Sequence, residues 1–500
     1  MKRYRYIIRA TFIVTLMLIQ SSNTGLSDEP NWPQFRGLNC SGHAAEGQNP
    51  PVEFDSEQNL LWKTPVPQGH SSPCIWGDRI FLTGFDKEKK ELQVFCLDRI
   101  SGDIRWSRIV LAEQIEKLKR ISSPAQATPA ADGERLYVHF GSYGLLCYDF
   151  AGTQQWTVPL PIPPTLEYGA SSSPIVVGDL IILNRDKLRD EPNDSYLLAV
   201  DRHTGKTVWK HFQPSGSTNY STPIVWAEQL VIHRAREVVA HAVTDGTRIW
   251  SVSIATMGVS TPVIGDNVLY VGAWHNRGEP VQLPKPPDFK TIIEKYDRNG
   301  DKKISMRELP LDLKISDRPE IADIEDTKGP IVWYFQRLDL NKDGLIDETE
   351  WKGFSDLGLV VPKEHGFVAI KPGGKGDVTT THVLWQENRF VPEVPSPLYH
   401  DGRVYMIKNG GIVSCMDAET GKLLYRERLG AAGLYCSSPI CADGRIYIGS
   451  GNGVITVFKA GDTLQILARN KLGEKIFATP AVVDNKLYVR TIENMYAFGK

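Results

Sequence analysis

The stretch Tyr196–Trp209, YLLAVDRHTGKTVW, constrains the chain more than any other because it recurs. An apolar run enters an Asp, a Thr-Gly turn follows, and a second run delivers a Trp four residues beyond the Gly. Asp and Thr side chains bond the backbone of their own turn, and Gly accepts positive φ without a Cβ clash. Partial copies read CLDRISGDIRW (Asp98, Gly102, Trp106), CYDFAGTQQW (Asp149, Gly152, Trp156) and CMDAETGKLLY (Asp417, Gly421, Tyr425). AVTDGTRIW keeps Gly246 and Trp250 but has Ala242 where the Asp stood. Two strands and a tight turn cannot bury a face alone, so recurrence at about 40–55 residues predicts repeated β units packed on one another.

A second mark runs in phase with the first: Ser or Thr, then Pro, an apolar strand, a tight turn and another strand. It falls at Pro73, Pro129, Pro174, Pro223, Pro262, Pro397, Pro439 and Pro480. Turns such as Gly77-Asp78, Asp132-Gly133 and Asp443-Gly444 suit the primed hairpins that follow strand twist. Eight marks predict eight blades, each with strand A from the Pro, B after the hairpin, C into the Asp and D carrying the aromatic. The last blade has only three, ending at Met495–Phe498, and the early LLWKTPV segment around Trp62 supplies its fourth. Chain ends that share a blade close the ring and remove an open edge. The outer-strand aromatics Trp62, Trp106, Trp156, Trp209, Trp250, Trp385 and Tyr425 read as packing between neighbouring blades, and the blade around Ile466 has aliphatics there. The fold class predicted is all-β: an eight-bladed β-propeller closed by N-terminal and C-terminal strands, with a small α-helical insertion in blade five.

Lys and Arg number 57 against 59 Asp and Glu, well mixed along the chain. That balance offers no polybasic face for nucleic acid. Lys2, Arg3, Arg5 and Arg9 precede the apolar run Ala10–Ile19, and small residues follow at Gly25 and Ser27. This order fits a secretory signal peptide over 1–27, followed by an N-terminal arm over 28–58. The apolar run is shorter than the ~20 residues a span needs, so the mature chain is expected to be exported, periplasmic or extracellular, with no transmembrane segment. Seven cysteines are scattered without an adjacent pair. Cys96, Cys147 and Cys415 read as small buried strand residues, and no disulfide is predicted.

The Pro262–Pro397 step is more than twice as long as its neighbours, so propeller segments 59–278 and 366–500 are expected to flank an inserted module over 279–365. Asp339-Leu-Asn341-Lys-Asp343-Gly344-Leu345-Ile346-Asp347-Glu-Thr-Glu350 satisfies D-x-[DN]-x-[DN]-G-x5-E. Asp297-Arg-Asn299-Gly-Asp301-Lys302-Lys303-Ile304-Ser305-Met-Arg-Glu308 satisfies it except for Lys302 at the Gly position. Both loops resemble the EF-hand family. Alternate side chains of a tightly wound loop converge on one centre, and Ca²⁺ takes six to eight hard oxygens. Asp339, Asn341, Asp343, the Leu345 carbonyl, Asp347 and Glu350 are the expected ligands of the second loop. Asp297, Asn299, Asp301, Lys303, Ser305 and Glu308 hold the same positions in the first, giving up to two Ca²⁺. Lys302 must adopt a Gly-like conformation, and Arg298, Lys303 and Arg307 dilute the negative field, so the second loop is expected to bind tighter. Ile304 and Ile346 should pair across a short bridge, between helices carrying Phe289, Ile292, Ile293 and Tyr296 on one side and Trp351 and Phe354 on the other.

AVDRHTGKTVW fully matches A-x-D-x-x-T-G-x-x-x-W, and CLDRISGDIRW and CMDAETGKLLY match it in part. On these motifs the chain resembles the quinoprotein-type β-propellers. That family includes pyrroloquinoline-quinone (PQQ) dehydrogenases of alcohols or sugars and the non-enzymatic lipoprotein of the outer-membrane β-barrel assembly machine. A dehydrogenase of this kind implies a charged base near PQQ, Ca²⁺ held by propeller side chains and commonly a vicinal cysteine pair. The chain has no Cys-Cys, no haem C-x-x-C-H, no G-x-S-x-G and no H-E-x-x-H. His70, His275 and His382 are the candidates for a pocket. The reading favoured by these residues is an exported calcium-binding scaffold whose partner is a protein or small extracellular ligand at one propeller face. The alternative is a PQQ-dependent oxidoreductase.

Overall fold

A computed structural model of the protein describes residues 31–119, 121–160, 168–185, 195–213, 219–274, 287–309, 314–316, 329–330, 335–357 and 365–500. The expected signal peptide lies outside the described residues. Eight antiparallel sheets carry strands A to D in order, and each A strand begins on the residue after a marked Pro. In blade one these are Cys74–Trp76, Arg79–Asp86, Glu91–Asp98 and Ile104–Val110. The Pro therefore stands one residue before the ladder, where its missing N–H removes no bond. Blade eight combines Ala481–Val483, Lys486–Arg490 and Asn494–Phe498 with Leu60–Pro65, and Trp62 lies opposite Ala497. The chain ends share one sheet, as the repeat count requires. No helix among the described residues is long and apolar enough to cross a membrane.

The Ser or Thr before each Pro has a cause that the repeat pattern alone does not give. The Ser72 N–H donates to Thr128 Oγ1, Thr128 to Ser173, Ser173 to Thr222 and Thr222 to Thr261. Thr261 donates to Ser396, Ser396 to Ser438, Ser438 to Thr479, and Thr479 back to Ser72. The bonds measure 2.9 to 3.1 Å and every one of the eight residues is 2% exposed. A residue before Pro is held extended, and its buried N–H needs an acceptor that its own sheet does not supply. The short hydroxyl of the next blade supplies it. The result is a closed hydrogen-bonded girdle around the inner strands.

The outer contacts use the turn Gly of the repeat. A Cβ on Gly102 would meet the Trp62 ring at 2.5 Å, and Gly152, Gly205, Gly246 and Gly421 lie equally close under Trp106, Trp156, Trp209 and Trp385. The same indole N–H groups donate to the carbonyls of Arg99, Phe150, Arg202, Val243 and Ala418 at 2.9 to 3.2 Å. Each Trp thus covers the following blade's turn. Trp250 departs from this and donates to Gln229 Oε1 of its own blade at 2.8 Å. The next blade is the fifth, whose C–D connection is long, and there Gly376–Asp377 pairs in parallel with the strand that carries Trp250.

The N-terminal arm crosses one mouth of the ring. Trp32 pairs with Ile75 of blade one, and the Pro33 carbonyl accepts from Ala131 of blade two at 2.8 Å. Arg36 donates to the carbonyls of Pro397 at 2.7 Å and Pro439 at 3.3 Å, at the entries of blades six and seven. Asn39 clamps Val225 of blade four through both amide atoms. His43 bridges Cys441 of blade seven, and Asn49 meets Asn485 of blade eight at 2.7 Å. Blades two and six face each other in an eight-membered ring, so the arm passes over the axis, and its Arg36 is fully buried. All seven cysteines are free thiols.

Candidate functional site

The insertion leaves blade five after Val268–Ala273 and returns at Gly366–Ile370. Helix Phe289–Tyr296 opens it, with Asp288 as N-cap accepting from the Thr291 N–H at 2.7 Å. Ile304 pairs with Ile346 between strands Ile304–Ser305 and Leu345–Ile346. Phe289, Ile292, Phe335, Leu338 and Trp351 bury against that pair, which gives the module its own small core. Trp351 donates to the Pro287 carbonyl at 2.8 Å and ties helix Glu348–Leu357 to the start of the module. The Phe354 side chain and most of the connector, including Pro310 and Pro319, lie outside the described residues.

The second loop is wound tightly by its own acids. Asp339 Oδ2 accepts from the Gly344 N–H at 2.9 Å, Asn341 Oδ1 from Asp343 at 2.7 Å and Asp343 Oδ1 from Leu345 at 2.8 Å. Asp347 Oδ1 takes the N–H groups of Thr349 and Glu350 and so caps the following helix. Glu350 folds back, one oxygen on the Leu340 N–H at 2.9 Å and the other on the Asp347 N–H at 3.0 Å, and is 5% exposed. Asp339 Oδ1 is buried without a hydrogen-bond partner. A buried carboxylate oxygen without a donor is expensive, and a hard cation satisfies it.

The first loop repeats the winding. Asp297 accepts from Gly300 at 2.7 Å and from Lys302 at 3.0 Å, so both its oxygens are engaged. Asn299 Oδ1 accepts from Asp301 and Asp301 Oδ1 from Lys303, each at 2.8 Å. Glu308 Oε2 accepts the Ser305 N–H and hydroxyl, which hold its carboxyl below the usual range. Lys302 does take a left-handed conformation, φ +58°, and Lys342 of the second loop does so too, at +60°. Gly300 and Gly344, at +77° and +82°, occupy the complementary positions, so each loop has one Gly and one strained Lys. The Lys303 ammonium reaches across to Asp343 Oδ2 at 3.2 Å. That hydrogen bond raises the Lys303 pKa, so this charge falls on a ligand position of the second loop as well as diluting the first.

The three candidate pocket histidines do not converge. His70 lies in a D–A connection with its ring edge-on to Phe477 at 4.9 Å; burial, with Arg490 nearby, holds its pKa down to about 3. His382 ends the short helix Thr379–His382 in a C–D connection, which alternation of strand direction puts on the opposite face. His275 lies outside the described residues. A cluster that the sequence did not signal, His43, His400 and Cys441, forms instead where the arm meets blades six and seven.

The sequence profile of the family described as outer membrane protein assembly factor BamB matches residues 117–283 and 374–466. The EF hand profile matches residues 331–355, which hold the second loop. No curated protein matches the chain. Among solved structures, BamB from Moraxella catarrhalis is similar at 12% identity and TM-score 0.51, over 88% of this chain and 98% of that one. A europium-containing methanol dehydrogenase gives 12% identity and TM-score 0.59 over 94% and 98%. Quinohemoprotein alcohol dehydrogenase from Comamonas testosteroni gives 11% and 0.55 over 94% and 81%. At such identities these likenesses establish the ring and not an activity. The BamB profile spans more than half of the chain and falls on the blades built above, and the chain belongs to that family.

Proposed function

We propose that this protein is an exported calcium-binding β-propeller that serves as a binding or assembly scaffold. The observation that carries the reading is the second loop, where Asp339 Oδ1 is buried without a donor among the described residues and Glu350 folds back onto the loop backbone. Asp339, Asn341, Asp343, the Leu345 carbonyl, Asp347 and Glu350 would hold Ca²⁺ there, and the ion would supply the positive charge that locks the loop. Asp297, Asn299, Asp301, the Lys303 carbonyl, Ser305 and Glu308 would hold a second, weaker ion. At about 100 times the dissociation constant, one Ca²⁺ stabilises its module by ~2.7 kcal/mol. In an exported protein such an ion is a permanent clamp, and the module presents a fixed surface beside the mouth where B–C and D–A connections emerge. A protein partner is the reading that the BamB likeness supports.

PQQ-dependent oxidation is the second reading, supported by the likeness to methanol and alcohol dehydrogenases. The free state of all seven cysteines, with no adjacent pair, fits it poorly. Purified protein given PQQ and Ca²⁺ should show no alcohol- or sugar-driven dye reduction, and capture from a periplasmic fraction should retain a defined partner that a chelator releases. Turnover with a defined substrate would replace the scaffold reading.

A further inference from the structure

The arm and two blades meet at a set of ligands unlike those of the insertion. His43 forms a parallel bridge with Cys441, with the Cys441 N–H on the Gly42 carbonyl at 2.8 Å and the Ala44 N–H on the Cys441 carbonyl at 2.9 Å. A bridge pair carries its side chains side by side. The His400 ring of blade six stacks on His43 with centroids 5.4 Å apart. One ligand atom from each of the three lies within 4.8 Å of the others. Around a tetrahedral Zn²⁺ with Zn–N of about 2.0–2.1 Å and Zn–S of about 2.3 Å, ligand atoms stand roughly 3.3–3.6 Å apart. Small rotations of two partly exposed imidazoles close that difference. His43 Nε2 already lies 2.6 Å from the Tyr399 carbonyl, a contact that assigns the proton to Nε2 and leaves Nδ1 its lone pair. A backbone acceptor behind a histidine is the usual outer support of a metal ligand.

We propose that His43, His400 and Cys441 form a second metal site, for a thiophilic d¹⁰ cation, Zn²⁺ or Cu⁺, that latches the N-terminal arm to blades six and seven. One thiolate and two imidazoles select such ions over Ca²⁺ or Mg²⁺, which take oxygen. On binding, the Cys441 S–H bond breaks, a sulfur–metal bond forms and one proton passes to the buffer. A cleft of about 390 Å³, lined by His400, Arg403, Tyr405, Arg445 and Lys459, opens beside the His400 ligand. Of the cations around the cleft, Arg403 pairs with Asp462 and Asp401, and Arg445 pairs with Asp443.

Co²⁺ substitution of the full chain, with Ca²⁺ saturating, tests this directly. A near-ultraviolet thiolate-to-cobalt band with visible tetrahedral bands is expected as Co²⁺ binds with release of about one proton, and one equivalent of Zn²⁺ should displace it with no further proton release. Cu⁺ competed against a chromophoric chelator separates the two ions. Cys441→Ser should abolish the thiolate band, and His400→Gln should weaken Zn²⁺ by more than ~100-fold, beyond the 10–100-fold typical of an outer-shell change. Glu350→Gln should leave the band intact. Thermal unfolding of His400→Gln without metal should match wild type, while Zn²⁺ should protect the arm from proteolysis in wild type and in Glu350→Gln but not in Cys441→Ser or His400→Gln. A wild-type chain with no thiolate band, or a Zn²⁺ stoichiometry unchanged by Cys441→Ser, overturns the proposal.

Discussion

The backbone N–H of Thr479 donates to the hydroxyl of Ser72 at 3.0 Å, and this bond joins the eighth blade to the first. The two residues belong to opposite ends of the propeller sequence yet occupy equivalent places in adjacent sheets. Their contact lies between blades eight and one at the inner edge, and the pairing of Leu60–Pro65 with Asn494–Phe498 lies within blade eight at the outer edge. Ring closure therefore does not depend on sheet pairing alone.

Removing the acceptor tests the girdle. Ser72→Ala leaves the Thr479 N–H buried without a partner and is expected to lower unfolding free energy by about 1–3 kcal/mol. An exposed hydroxyl such as Ser101 gives the control, with Ser101→Ala expected within about 0.5 kcal/mol of wild type. Urea midpoints for the pair decide it, and equal midpoints would remove the girdle from the account of stability.

Gly102→Ala combines a positive φ of +80° with a Cβ 2.5 Å from the Trp62 ring. Gly444→Ala has a φ of +64° and open space around the Cβ. The first should lose about 2–4 kcal/mol and the second only the ~1–2 kcal/mol of backbone strain. The difference between the two denaturation curves isolates the Trp seat. Similar losses would mean that the indole moves aside freely.

Lys303→Met should raise the affinity of the second loop for Ca²⁺, because the Lys303 ammonium no longer occupies Asp343. Solvent screens so exposed a pair, so the gain expected is modest, no more than about 5-fold. Glu350→Gln should instead lower affinity sharply, since one bidentate oxygen is lost. Calorimetric Ca²⁺ titrations of the three proteins measure both effects. Weaker binding in Lys303→Met would reverse the role assigned to that lysine.

Acid should destabilise the ring well before its carboxylates are neutralised. Burial holds His70 and His139 down to about 3 and His233 and His241 down to about 4. Unfolded histidines titrate near ~6.5, so below that pH the unfolded chain binds protons that the folded chain refuses. Stability is full above the unfolded pKa and falls as pH drops through the window from about 6.5 towards 4, by up to ~1.4 kcal/mol per pH unit for each histidine. Unfolding free energies at pH 7.5, 6.0 and 5.0 should decline steadily. A flat profile would mean that these rings are charged or hydrated in the fold.

Strong periodicity made the propeller legible. Each Pro and each turn Gly answers a local backbone demand, so the marks survive in sequence wherever the geometry is repeated. The winding of the two acidic loops was legible for the same reason, since it is set within twelve consecutive residues. The Ser or Thr before each Pro was visible, but its partner lies one blade away and no local rule names it. The arm's route over the axis and the meeting of His43, His400 and Cys441 left no signal, because non-repeating segments are joined there by tertiary packing. His70 and His382 looked alike in sequence and parted in space because they lie in connections on opposite faces.

The strap of residues lying over the ring's axis touches blades one, two, four, six, seven and eight, so its seat is incomplete until the last sheet exists. The segment around Trp32 and Arg36 therefore gains its buried contacts only once blades far apart in the chain have come together.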